Sequence, residues 1–263
     1  MSQFGCVFYR GPSLLTGDPI VGVLTGLDDG SVNAKTGPIA QAWIIRSDVA
    51  PMDAKRENLD DAVCGDCKLR GRNGRDSGCY VAPWLAPYNV FRQLRAGRYP
   101  DVTWADLHAL VEGRTIRLGA YGDPAAIPFE IWHQALATVA GWVGYTHQWT
   151  HCDRRFRNIV MASVDSPAEA DNAWRLGWRT FRVRQAHDPL LSAGLRRSLL
   201  VRAAYTGEFV CPASDEAGHR TTCQACQLCR VLASPARSVA IIAHGHNGVM
   251  AAFHRRRPAE ACA

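Results

Sequence analysis

From residue 115 onward the chain alternates between two hydrophobic periods. Residues 115–118 form a short apolar run of strand type, 119–128 is a loop rich in glycine and proline, and 129–140 carries apolar residues at helical spacing. The cycle repeats with a strand over 142–146 and another over 158–164. A helix over 167–176 follows, with Pro167 in its first turn and Gly177 as its stop, and then a strand over 180–183. Residues 199–203 offer a further strand. Upstream, the first clear strand spans 40–45, after the breaks of Asn33-Ala34-Lys35-Thr36-Gly37. A helix is predicted over 87–96, where Val90, Phe91 and Leu94 share one face and Gly97 ends it. Such alternation predicts an α/β fold whose parallel β/α units form an open sheet or a partial or full TIM-like barrel. Function then gathers at the carboxyl ends of the strands.

The chain has 263 residues, enough for one large core with a small appendage. The expected division is a barrel-like domain over 1–205, including a cysteine loop at 63–81, and a C-terminal cysteine-rich metal-binding segment over 206–263. A hydrophobic fraction of 47% with 21% charged residues excludes wholesale disorder. No apolar run reaches the length of a membrane span, and residues 1–16 lack a charged stretch followed by an apolar one. A soluble cytoplasmic protein without a membrane partner is therefore expected, with its oligomeric state open. The net charge of +6 permits an anionic partner. Lys35, Lys55 and Lys68 are the only lysines, so the charge rests on arginine, whose planar fork suits phosphate. GC-rich coding bias produces the same excess, so a nucleic acid or nucleotide partner is an expectation from charge only in part.

Cysteine usage changes the picture more. Most of the ten cysteines sit in tight groups, which in a reducing compartment indicates metal rather than disulfides. Cys211, Cys223, Cys226 and Cys229 combine two overlapping C-x-x-C steps with a fourth thiol across an eleven-residue gap. Four thiolates suit a tetrahedral zinc or a four-iron cluster. His244 or His246 is an alternative ligand, although His244-Gly245-His246 reads more simply as a surface turn. The second group, Cys64, Cys67 and Cys79, supplies three thiolates and leaves one position for a catalytic metal's ligand or for a histidine or aspartate. Arg70, Arg72 and Arg75 in the same loop either solvate it or receive phosphate. Cys6, Cys152 and Cys262 stand alone, and His151-Cys152 makes a poor nucleophile pair because adjacent side chains point apart.

Polar groups also mark successive strand ends. Gly119-Ala120-Tyr121-Gly122-Asp123-Pro124 combines glycines that admit close backbone approach with a carboxylate at a helix start, although Asp123 before Pro124 is also a simple cap. Tyr145-Thr146-His147-Gln148-Trp149 offers stacking and hydrogen-bonding groups, and Ser163-Val164-Asp165-Ser166 brings another carboxylate. Three such ends in succession point to one shared pocket.

The order of these features resembles uncharacterised phage and prophage proteins of the mycobacteriophage gene-product-88 type. The shared traits are Asn33 to Gly37, Cys79-Tyr80, Gly122-Asp123, Tyr145-Thr146, and Cys211-Pro212 followed by C-x-x-C-x-x-C. That kinship implies no activity. More distantly the order resembles radical S-adenosylmethionine enzymes. This implies a four-iron cluster on Cys64, Cys67 and Cys79 and S-adenosylmethionine against Gly119, Tyr121, Gly122, Asp123 and Pro124. Ser163 and Asp165 then lie on its ribose side, an auxiliary cluster sits on the C-terminal cysteines, and Asp123, Tyr145, His147 and Asp165 are the candidate catalytic groups. The spacing departs from that family: C-x2-C-x11-C stands where C-x3-C-x2-C is usual.

A queuine-type transglycosylase is the rival. It implies Asp123 or Asp165 as nucleophile and zinc on Cys223, Cys226, Cys229 and His244, yet the family's Asp-Ser-Gly-Gly is absent. A non-catalytic zinc protein that binds DNA or a host factor is the third expectation. Zinc is thus the alternative to iron–sulfur at one or both cysteine sites.

Overall fold

Nine strands form one sheet in the order β1-β2-β3-β4-β5-β6-β7-β9-β8. The computed structural model describes residues 4–28, 33–73, 75–191, 207–230, 238–245 and 247–256. The strands are β1 Gly5–Pro12, β2 Pro19–Thr25, β3 Ala40–Arg46, β4 Thr115–Tyr121, β5 Gly141–Thr146, β6 Met161–Val164, β7 Thr180–Arg184, β8 Glu208–Val210 and β9 Ser238–Ile242. β1, β2 and β3 pair antiparallel, and every pair from β3 onward is parallel. The fold is thus mixed α/β with a mostly parallel sheet. Among the described residues β1 and β8 form its two edges and do not pair with each other. β8 and β9 come from the segment expected to follow the barrel-like domain, and they extend the same sheet.

The helices are α1 Pro51–Glu57, α2 Asp61–Cys64, α3 Ala86–Arg95, α4 Trp104–Val111, α5 Phe129–Ala135, α6 Pro167–Arg175, α7 Cys223–Cys226 and α8 Asn247–Arg256. From β3 to β7 the strands are wound in sequential order, and residues of α5 and α6 pack into one and the same core. Side-chain alternation along the strands then separates two cores. Ile116, Leu118, Trp142, Ala162 and Val164 pack with Trp132 of α5 and Ala170 and Ala173 of α6. Val143, Met161, Val239 and Ile241 project from the opposite face and pack with Cys211 and Cys229.

Several predicted limits are corrected. The helix expected over 129–140 stops at Ala135, because the backbone beyond it is claimed elsewhere: Gly113 N donates to Thr138 O at 3.2 Å and Ala140 N to Arg114 O at 2.9 Å. The strand expected over 115–118 runs on to Tyr121, paired with Trp43, so Gly119 to Tyr121 is not loop. The strand expected from 158 begins at Met161, since Asp153 caps a 3-10 turn at Arg154–Asn158. α1, α2 and α4 were not predicted, nor was the β1–β2 hairpin. The strand expected over 199–203, His246 and Cys262 lie outside the described residues. α3 and α6 match expectation within a residue, with Gly97 and Gly177 at φ 67° and 82° just past their ends. Among the described residues no helix is long and apolar enough to cross a membrane.

Candidate functional site

The eleven residues between Cys67 and Cys79 are looped out rather than spread along the site. Cys79 N donates to Leu69 O at 2.9 Å, which brings the ends of the excursion together, while Arg72 and Arg75 exchange backbone hydrogen bonds near its far end. Cys64 ends α2, and Gly65 turns the chain at φ 55°. A Cβ there would stand 2.5 Å from the Gln148 side chain, whose Nε2 donates to Cys64 O at 3.1 Å. Arg70 pairs with the buried Asp60 at 2.9 Å and braces the loop from below. All three thiols line one cavity. Burial pushes the Cys64 and Cys79 thiols up, and their neighbouring cysteines add to it. Without metal these groups therefore stay protonated at neutral pH, and a metal must displace their protons.

The carboxyl ends of β4, β5 and β6 form the adjoining wall. Gly122 turns at φ 83°, where a Cβ would meet Ile44 O at 2.6 Å, so only glycine fits. Asp123 is committed to structure. Its Oδ1 accepts from Ala125 N at 3.0 Å and Thr146 Oγ1 at 2.7 Å, and its Oδ2 accepts from His147 N at 2.7 Å. It also ties the strand to the cysteine loop, donating from its backbone to Val63 O at 2.6 Å. Asp123 is thus the cap of a 3-10 turn at Pro124–Ala126, as one reading of the sequence expected.

Gly119, Tyr121, Gly122, Asp123, Tyr145, His147 and Ser163 line the cavity; Pro124 and Asp165 do not. His147 Nε2 and Asp165 Oδ1 are buried without hydrogen-bond partners. Burial disfavours the His147 cation, but Cys67, Asp165 and Asp123 outweigh it and push the imidazole up to about 10.

The C-terminal cysteines close the opposite end of the same cavity, which measures about 460 Å³. Their segment docks on the Asn33 to Gly37 turn: Cys223 N donates to Lys35 O at 3.0 Å and Gln224 N to Thr36 O at 3.1 Å. Gln227 reaches Thr115 Oγ1 at 3.0 Å, where β4 begins. The buried Arg179 holds Leu228 O and Arg230 O at 2.6 and 2.8 Å and so fixes the loop around Cys229. Tyr145 donates to Cys229 Sγ at 3.3 Å, with its ring 4.2 Å from that of Phe181. Burial pushes Cys229 up to about 12.

Among the described residues, no three His, Cys, Asp or Glu side chains converge closely enough to hold a single ion. A lone zinc needs sulfurs about 2.3 Å away, hence about 4 Å from one another. A four-iron cluster spreads its ligands more widely.

Sequence reasoning missed Arg117, Lys35 and Tyr80 as cavity residues. Only the alternation of β4 hinted at Arg117, two positions before Gly119 on the same face. Cys152 stays outside the cavity, and burial, with Asp123 and Asp153 nearby, pushes its thiol up to about 12. At pH 8 its thiolate fraction is then about one in ten thousand, so iodoacetamide should modify it about three orders of magnitude more slowly than a free thiol. Peptide mass spectrometry of the folded chain measures this, and a rate like that of free cysteine would restore its standing as a nucleophile.

Fold and site define a parallel-sheet α/β protein whose strand ends and two cysteine groups enclose one cavity. No protein-family model, curated protein or solved structure matches the chain.

Proposed function

We propose that the chain is a phage-type, radical-S-adenosylmethionine-like iron–sulfur enzyme of the cytoplasm that acts on a nucleic acid or nucleotide. One observation carries this reading: Cys64, Cys67 and Cys79 share a cavity with Gly119, Tyr121, Gly122 and Asp123 at the carboxyl ends of sequentially wound parallel strands. A sheet so wound, curled about that cavity, is a partial barrel. The looped-out excursion answers the unusual cysteine spacing, since the closure at Leu69 and Cys79 makes the effective separation short.

When bound, a four-iron cluster with S-adenosylmethionine supplies a carbon radical that removes hydrogen from a substrate. The chain's own groups prepare for that chemistry. Cys64, Cys67 and Cys79 would hold the cluster. Asp123 fixes the turn after β4, where Gly119 and Gly122 let the chain pack closely on itself and on Ile44, and Ser163 lies two strands away on β6. Cys211, Cys223, Cys226 and Cys229 hold a second cluster or a zinc. Val143, Phe181, Val239 and Ile241 keep the space between dry, which protects a reactive intermediate from water. The arginine-based positive charge supports an anionic substrate.

A second reading is zinc on the three thiols with His147 as the fourth ligand; it requires the side chains to move together, since among the described residues no three such groups stand within reach of one ion. The transglycosylase reading is weakened because the three hydrogen bonds on Asp123 leave it poorly placed as a nucleophile. Anaerobic purification tests the choice. A brown chain with about four or eight irons is expected. A colourless chain with about one or two zincs overturns the proposal, and exchange of labelled deazaguanine into DNA or RNA would replace it with the transglycosylase.

A further inference from the structure

Between the two cysteine groups the cavity carries cations without matching carboxylates. Arg117 and Lys35 both line it, and among the described residues neither forms an ion pair. Among the described residues Asp123 is the only acidic one of the lining, and its oxygens already accept three hydrogen bonds. Arg117 has the Tyr80 hydroxyl and, with Lys35, the nearby Cys223 thiol to answer its charge, but no carboxylate among the described residues, so the site favours an anion.

Position narrows the role. Arg117 stands level with Val143 on β5 and with Gln41 on β3. A bulge in β4 brings Tyr121 level with Trp43, only two residues further along β3, so Arg117 lies about 7 Å short of Tyr121 along the strand direction. This places it before the carboxyl end of β4, toward the C-terminal cysteines. Its guanidinium donates through Nη2 to the Tyr80 hydroxyl, and Tyr80 in turn packs its ring 5.6 Å from that of His244. Arg117 makes no hydrogen bond to a cysteine sulfur among the described residues, in contrast to Tyr145, which reaches Cys229. With Nη2 on Tyr80, the remaining N–H donors of the guanidinium are available to a ligand, and a guanidinium binds planar or tetrahedral oxyanions through paired donors.

We propose that Arg117, assisted by Lys35, anchors an oxyanion group of the molecule that occupies this cavity, a phosphate monoester or a carboxylate. The anchor sets the depth at which that molecule sits between the two cysteine groups and so selects which of its atoms faces the Cys64 end. The inference rests on the cavity being the reaction chamber, not on which metal the cysteines hold.

The test uses the full chain as purified with its metal. Phenylglyoxal is applied at equal ionic strength in chloride, inorganic phosphate or acetate, and adducts are mapped by peptide mass spectrometry. Phosphate or acetate should slow modification of Arg117 at least fivefold and leave that of Arg92 on α3 unchanged. Equilibrium dialysis with labelled inorganic phosphate, or labelled acetate where acetate is the better protector, should show about tenfold weaker binding in Arg117→Gln and recovery to within a few-fold in Arg117→Lys. The better protector assigns the group as phosphate or carboxylate. Equal modification of Arg117 in all three salts overturns the proposal. So does loss of bound metal in Arg117→Gln together with unchanged anion affinity, which would make the guanidinium a counter-charge for thiolates. A colourless zinc protein that still shields Arg117 with phosphate would sink the radical reading and leave this one standing.

Discussion

On the proposed iron–sulfur reading, replacing Cys64, Cys67 and Cys79 together with alanine is expected to remove about four irons per chain and all reductive cleavage of S-adenosylmethionine, while a chain changed at Cys223 and Cys226 is expected to retain the first cluster. The expectation follows from the geometry of the early trio. Their loop is held by its own backbone, by Arg70 on Asp60 and by Gln148 on Cys64 O, so the thiol-free variant should still fold. Each thiolate withdrawn leaves a cluster iron without its protein ligand, so partial retention of activity is not expected. Iron and sulfide content and the charge-transfer absorption are the readouts, with deoxyadenosine formation as the activity. His147→Ala adds a separate arm. It should leave the iron content unchanged if His147 merely faces the cluster, whereas loss of all metal from that site would mean that the histidine is a ligand and that the site is sealed.

Glu208→Ala is expected to destabilise the chain by about 3 kcal/mol, because it strips the close bidentate partner from a buried guanidinium and leaves it only Asp188 at 4.0 Å. Arg182 and Glu208 side chains are both 0% exposed, and they meet through two parallel hydrogen bonds of 2.8 and 2.7 Å. Glu208 also accepts from Leu191 N at 3.0 Å, and Arg182 donates to Pro189 O at 2.8 Å, so the pair joins β7, β8 and the segment at 189–191. Removal of one charge leaves the other in a space that water does not reach. Removal of both, in Arg182→Leu with Glu208→Leu, leaves no such charge and should cost far less. For a chain of this size the single change should lower Tm by roughly 10 °C. Urea unfolding of the two variants measures the difference, and a single variant within about 1 kcal/mol of the parent would show that the pair holds nothing. β8 leads directly into Cys211, so Glu208→Ala should also lower metal occupancy at the C-terminal cysteines.

Local signals carried much of the architecture. The alternation over residues 115–184 is legible because burial on a pleated strand and on a helix imposes different periods. Gly97 and Gly177 are legible as stops because their positive φ suits no other residue as well, and Asp123 as a cap because a short polar side chain satisfies free N–H groups, whereas the cap before Pro167 is Ser166 and not Asp165, the residue its sequence position also suggests. The β1–β2 hairpin escaped that logic. Gly5, Gly11 and Pro12 read as breakers, yet β1 is an edge strand, and an edge tolerates proline at its end.

The cysteine groups and the glycine-aspartate turn are visible as composition and spacing, since metal ligands and tight turns demand particular residue types at short range. Their convergence is not. That Cys64, Cys67 and Cys79 meet the end of β4, that the Asn33 turn carries the Cys223 segment, and that Arg117 faces the same space all depend on sheet register and on contacts between residues up to nearly two hundred apart. The energies of such contacts are set by packing across the sheet, where a shift of one residue would turn every side chain to the opposite face. Short-range preference has no term for that, so the chain's pattern names the parts and only their packing brings them to one cavity.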